Sequence, residues 1–250
     1  MRLLQLLKLS SKFLPLQVEF SRLHSYFAFV MFVGVFCDQA WASYDYAAWS
    51  TKNRDGSWTK TAESAVIRSA LVNTVPADIG YFCPSYPNLN RLDRGRFWVG
   101  LLSAMAKPES NFKPEASYTE RFHDSQGNRV VSRGLLQISI ESANQKRYDC
   151  DIPYASKLHD PKINLHCGVK ILAKWVHTDG VIAKTRGTNG QLTPSLRQPK
   201  GGARYWSTLR GKNGHLRNIA DFTRNLPFCQ QQYTKQPVKV RQGIRMTSPR

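Results

Sequence analysis

The chain has 250 residues, 41% of them hydrophobic and 21% charged, with 36 Lys and Arg against 17 Asp and Glu for a net charge of +19. Glycine (16) and proline (13) are near average, and the apolar content suffices for a core, which excludes collagen-like and globally disordered chains. One ordinary domain with a small appendage remains, and the charge points to a polyanionic partner: a nucleic acid, an acidic membrane or a bacterial wall.

Residues 26–36 form an apolar run, Tyr26 to Phe36, preceded by Arg2, Lys8, Lys12 and Arg22 and followed by Ala40-Trp41-Ala42. This is the layout of a secretory signal peptide over 1–42, which predicts an exported protein, periplasmic or secreted, that meets the membrane only transiently. The run is short of the roughly 20 residues of a spanning helix; a retained signal anchor is the alternative. Cys37 follows the bulky Phe36, a poor setting for lipidation. Cleavage after Ala42 leaves Cys83, Cys150, Cys167 and Cys229, an even number that suggests two disulfides in an exported chain. Of the three pairings, Cys150–Cys167 (a local loop) and Cys83–Cys229 (a tie between the domain's ends) are favoured. A zinc site is the rival reading, but no CxxC or HxxxH spacing is present, so no metal or cofactor is expected.

Residues 43–92 read as an N-terminal extension, polar and aromatic, with one short helix over 63–73 that puts Val66, Ile67, Ala70 and Leu71 on one face. The domain proper is expected over 93–229. Its first helix runs from Asp93 to Lys107 on a stripe of Phe97, Leu101, Leu102 and Met105, and Pro108 should end or kink it. A hairpin follows over 118–132, turning at Asp124-Ser-Gln-Gly127-Asn. Residues 134–144 are expected to be helical. Asp160-Pro161 starts a buried helix that reaches about His177, with Asp as N-cap and proline first in the helix. Residues 184–202 lack a period and read as a loop, 204–209 and 215–223 as final helices, and 230–250 as a basic, disordered tail.

Two stretches carry chemistry. Pro108-Glu109-Ser110-Asn111-Phe112 places a glutamate at the end of an apolar helix, where desolvation raises a carboxyl pKa and keeps a general acid protonated near neutral pH. About 25 residues later, Gly134-Leu135-Leu136-Gln137-Ile138-Ser139 combines a glycine that permits close backbone approach with a two-way amide. Taken singly, each has a plain structural reading: a solvated helix end, a turn glycine.

Together, Glu-Ser-x-Phe, a hairpin and Gly-Leu-Leu-Gln resemble the lytic transglycosylase and goose-type lysozyme superfamily over roughly 95–225. The later Asn164-Leu-His-Cys-Gly168-Val-Lys-Ile-Leu172 is similar to the family helix that packs behind the catalytic one. The resemblance implies a mainly α, lysozyme-like α+β fold: a helical domain with one small hairpin beside a glycan-binding groove. It implies cleavage of the β-1,4 bond between N-acetylmuramic acid and N-acetylglucosamine in peptidoglycan, with Glu109 as catalytic acid. Ser110 and Gly134, Leu135, Leu136 and Gln137 would line the sugar groove. The family's Ala-Tyr-Asn is replaced by Ala203-Arg204-Tyr205-Trp206, so Tyr205 is carried over as the orienting tyrosine, with Trp206 as a sugar-stacking or core ring.

Hydrolases generally need a second carboxylate, whereas lytic transglycosylases use the sugar's own hydroxyl as nucleophile. Glu120, eleven residues after Glu109 on the expected hairpin, is the candidate; Asp124 reads as a turn residue and Glu115 as solvated. This favours hydrolysis over transglycosylation. The competing readings are a wall-binding protein without turnover and a basic nucleic-acid binder, the latter disfavoured by the export signal and the paired cysteines. His123, His159, His166 and His177 show no metal spacing and read as structural. Peptidoglycan strands are the expected partner, with no specific nucleic acid, and a monomer is the expected state.

Overall fold

The computed structural model describes residues 46–186, 192–194 and 198–230, so the expected signal segment over 1–42 and the tail beyond Gln230 lie outside the described residues. Helix α1 spans Ser57–Arg68, α2 Ile79–Phe82, α3 Arg91–Ser110, α4 Ile140–Ala143, α5 Pro161–Asp179 and α6 His215–Arg224. Strands β1 (Ser117–His123) and β2 (Arg129–Arg133) form one antiparallel hairpin, and β3 (Lys184–Arg186) with β4 (Leu192–Pro194) a second short ribbon. The fold is thus mainly α with a small hairpin, as expected.

Helix α3 is the centre. Asn90 caps it, its side chain accepting from Asp93 N at 2.9 Å. Every residue from Phe97 to Ala106 is buried, not just one stripe, because α1 packs on one side and α6 on another. Pro108 does not end the helix, which runs on to Ser110 and stops at Asn111 in the left-handed region (φ 53°). Proline's fixed φ suits a helix, and in the last turn its missing N–H forfeits one bond without breaking turns that follow.

Residues 46–92 are no appendage. Trp49, Ala62, Val66, Leu71 and Phe82 share one continuous core with α3 and α5, and Trp49 donates its indole N–H to Thr59 Oγ1 at 2.9 Å. The helix expected over 63–73 is instead α1, starting earlier, followed by a 3-10 turn at Ala70–Asn73. Ser69 separates them: its backbone is extended and its hydroxyl accepts from Leu71 N, so it caps the second element and interrupts the first.

Helix α5 starts as its sequence predicts, with Asp160 Oδ1 accepting from Lys162 N at 2.8 Å and Pro161 first in the helix. It ends at Gly180 (φ 67°). Three other expectations are corrected. Residues 134–144 are helical only over α4. The 184–202 stretch is not wholly loop, since β3 and β4 pair across it. The helix expected over 204–209 is two 3-10 turns, Gly201–Arg204 and Ser207–Leu209, broken at Tyr205–Trp206. There Gly201 (φ 57°) and the Gly202 N–H, bonded to Ile182 O at 2.7 Å, pin the chain against the 181–183 backbone, which a regular helix could not follow.

Two disulfides, Cys83–Cys229 and Cys150–Cys167, close separations of 146 and 17 residues, the pairing favoured from sequence. Among the described residues no helix is long and apolar enough to cross a membrane.

Candidate active site

Glu109 sits in the last turn of α3, partly buried at the floor of a cleft. Its position is set from both sides. Ser110, the next residue, donates its hydroxyl to Leu135 O at 2.9 Å and so fastens the helix end to the Gly-Leu-Leu-Gln segment. Beyond it, Asn111 and Phe112 both take positive φ (53° and 62°), a costly conformation for a phenylalanine, and reverse the chain toward the hairpin.

The segment from Gly134 to Gln137 is a closed turn. Arg133 and Ile138 exchange backbone hydrogen bonds at 2.9 Å, enclosing the four residues between them. Gly134 (φ 79°) lies so close to α5 that a Cβ there would stand 2.1 Å from Leu158 O and 2.3 Å from Asn164 Nδ2. Asn164 is the buried anchor: its Oδ1 accepts from Leu136 N at 2.9 Å, and its Nδ2 donates to Arg133 O and Leu158 O, each at 2.9 Å. Leu135 and Leu136 are fully buried; Leu136 packs on Gly168, where any Cβ would meet its Cδ1 at 2.3 Å. Gln137, itself left-handed (φ 47°), donates from Nε2 to Gly134 O and Ala116 O while its side chain faces the cleft. The motif is a rigid shelf: its leucines are core, and only Gln137 fronts the groove.

Across the cleft, the hairpin carries Glu120. The ladder pairs Thr119 with Val131 and His123 with Arg129, so three residues of β1, 120–122, oppose Val130 alone. Such a bulge re-aims side chains, and here Glu120 lines the same cavities as Glu109. Ser132 donates to Glu120 Oε1 at 2.8 Å.

The surroundings of Glu109 act on its proton affinity in both directions. Burial pushes Glu109 up to about 7, and the nearby negative charge of Glu120 raises it further; a 2.6 Å hydrogen bond from Thr208 Oγ1 to Glu109 Oε1 and the positive charge of Arg210 pull the other way. Glu109 therefore exchanges its proton near neutral pH, where an acid that must give one up and regain it is most effective. Arg210 is held by its own bonds to Ala203 O and Arg204 O.

Tyr205 packs edge-on to Tyr148 and against Trp206, with its phenol toward Ser142 and the Ser139 backbone; burial raises its pKa and keeps it neutral. Trp206 is buried and donates its indole N–H to Leu136 O at 2.8 Å, so its ring supports the shelf from behind. Thr208 and Arg210 escaped the sequence reading: both lie in a stretch of 3-10 turns and loop without periodicity, about a hundred residues from the acid, and no local pattern marks them. Among the described residues no cluster of three or more His, Cys, Asp or Glu is placed to hold a metal.

The cleft has two halves that share both carboxylates, Gln137, Ser207 and Arg210. One, of about 730 Å³, extends along Tyr118, Asn213 and His215; the other, of about 320 Å³, along Phe122, Ser139 and Tyr205.

The chain is similar to one known domain family and to several solved structures. The transglycosylase SLT domain family matches residues 89–182. No curated protein matches the chain. Among solved structures, wild-type Bd0314 DslA is 43% identical, with 74% of this chain and 97% of that one covered and a TM-score of 0.65. Two Glu-to-Gln variants of the same protein also match, one at 41% identity over 76% of this chain and 100% of that one (TM-score 0.66), the other at 42% over 74% and 97% (TM-score 0.65). The two substituted positions are eleven apart.

Proposed function

The chain belongs to the transglycosylase SLT and lysozyme-like superfamily, whose members act on peptidoglycan, and on that footing we propose that it is an exported hydrolase of the β-1,4 bond between N-acetylmuramic acid and N-acetylglucosamine. Glu109 is the general acid and Glu120 the second carboxylate. The observation that carries this reading is the pair itself: two carboxyls facing one cleft, one of them held protonated up to about pH 7 by burial and by the charge of the other. The eleven-residue spacing of the two glutamates replaced in Bd0314 DslA, equal to that of Glu109 and Glu120, supports the choice of Glu120.

In this mechanism Glu109 gives its proton to the glycosidic oxygen as the bond to the anomeric carbon breaks. Glu120 stabilises the resulting oxocarbenium character and takes a proton from the water that attacks, leaving a reducing end. Gln137 and Tyr205 position the sugar and the acid; Ser110, Gly134, Leu135, Leu136 and Trp206 act by holding the shelf in place. The signal-like segment and the two disulfides support export to an oxidising compartment, and the basic chain favours encounter with an anionic wall. The protein works as a monomer on glycan strands.

The alternative within the family is transglycosylation, in which the muramyl 6-hydroxyl replaces water and Glu109 accepts its proton. Mass spectrometry of products from purified peptidoglycan, in water enriched in heavy oxygen, separates the two. Reducing ends carrying the label are expected; 1,6-anhydro ends without label would transfer the assignment to a lytic transglycosylase and remove the role of Glu120. No product at all would leave a wall-binding protein.

A further inference from the structure

The hairpin holds two aromatic side chains that the mechanism does not use. Phe122 is 59% exposed and Tyr118 54%, the two most exposed large hydrophobic residues among those described. A third exposed ring, Tyr154 at 53%, lies under Lys157, with the ammonium 5.4 Å from its centroid. No ring or cation contact covers Tyr118 or Phe122 among the described residues. Leaving two large rings more than half exposed on a small hairpin forgoes stabilisation that burial would provide, and such side chains mark contact surfaces.

Their placement is specific. Tyr118, Glu120 and Phe122 all line the cleft, while Thr119 and Arg121 do not. Tyr118 borders the half-cleft that runs toward Asn213 and His215, and Phe122 the half that runs toward Ser139 and Tyr205. The carboxylate pair lies where the halves meet. Four residues of strand span about 13 Å, too far for one sugar ring to stack on both aromatics.

We propose that Tyr118 and Phe122 are stacking platforms for the pyranose rings on opposite sides of the scissile bond, so that the hairpin sets where along a glycan strand the cut falls. The proposal rests on the reading that the cleft takes a β-1,4-linked strand. A sugar's axial C–H face is apolar, and an aromatic face accepts it with area burial and a favourable electrostatic contact. The hairpin's β2 strand packs on the 3-10 turn at Ala155–His159 and on α4, while Tyr118 and Phe122 on β1 stay exposed.

The test uses a peptide-free MurNAc–GlcNAc hexasaccharide and three readouts: KM and kcat, the distribution of product lengths, and binding of the same oligosaccharide to the Glu109→Gln protein. Tyr118→Ala and Phe122→Ala are each expected to raise KM about tenfold with a much smaller change in kcat, and to shift the cut in opposite directions along the oligosaccharide. Tyr118→Phe and Phe122→Trp, which keep a ring, should preserve both. Because the two side chains are exposed, unchanged melting temperatures are expected and will exclude misfolding as the cause. Unchanged KM and product lengths in an active enzyme would overturn the platforms while leaving the glycosidase reading intact. If the wild type does not cut, weaker oligosaccharide binding by Glu109→Gln carrying Tyr118→Ala or Phe122→Ala would still support the platforms. Equal binding with and without the rings would overturn them.

Discussion

Thr208 reaches across 99 residues of sequence to donate a 2.6 Å hydrogen bond to Glu109 Oε1. The bond favours the ionised acid and so opposes the burial that holds the proton on. Thr208→Val keeps the shape and removes the donor. If Glu109 is the acid, the rate should fall as it loses its proton at about pH 7, and in this variant that alkaline limb should move up by roughly half to one unit. A profile of kcat/KM against pH checks this, and an unmoved limb would mean that Thr208 does not control the acid.

Glu120→Gln removes a negative charge that raises Glu109. Its effect on the alkaline limb is opposite: the limb of the residual activity moves to lower pH, while the rate falls by about 10²–10⁴-fold if Glu120 works as a base. Loss of rate and downward shift are separate outcomes, read from one series of profiles. A downward shift without loss of rate would keep the electrostatic coupling and abandon the base.

Glu109 also links activity to stability. Its folded pKa of about 7 lies above the ordinary glutamate value of 4.5, so the folded state holds the proton more tightly than the unfolded one. The contribution is fully present below about pH 4.5 and is lost as pH rises to 7. Glu109→Gln, which cannot ionise and still accepts from Thr208, should therefore abolish cleavage and stabilise the fold by about 1–3 kcal/mol above pH 7, with no gain at pH 4. Denaturant midpoints at the two pH values provide the measurement.

The shelf is the next point of attack. Asn164→Ala strips partners from two buried carbonyls and the Leu136 N–H, and should cost about 2–4 kcal/mol. Gly134→Ala must push a Cβ into Leu158 O at a positive φ and should cost at least as much. Both variants should lose activity in the fraction that remains folded, because Gln137 and the Ser110 anchor move with the turn. Full activity in either would show that the shelf does not position the acid.

The two disulfides predict an order of sensitivity. In the chain-entropy description, the 146-residue closure by Cys83–Cys229 contributes about 5 kcal/mol and the 17-residue closure by Cys150–Cys167 about 3 kcal/mol. Double replacement by alanine should lower the melting temperature more for the first pair than for the second. The reverse order would place the main effect in local packing around α5.

The sequence by itself determined the elements whose signals are local. Asp160-Pro161 starts α5, the Asp124-to-Asn128 turn closes the hairpin, and Glu109 with Ser110 marks a carboxyl at a helix end. Each depends on a few neighbouring residues and on spacing that the backbone converts directly into a face or a cap. It misread Gly134 to Gln137 as helix because the apolar run has helical composition; the turn exists because Asn164 and the Leu158 carbonyl occupy the space, and neither lies nearby in sequence. Likewise only the tertiary structure decided which hydroxyl touches Glu109, that Leu135 and Leu136 are core while Gln137 fronts the groove, and that a bulge brings Glu120 to the cleft. A carboxyl's proton affinity depends on what surrounds it in space, and in this chain that environment is assembled from α3, the hairpin and the turns at 207–210, far apart in sequence and joined only by packing.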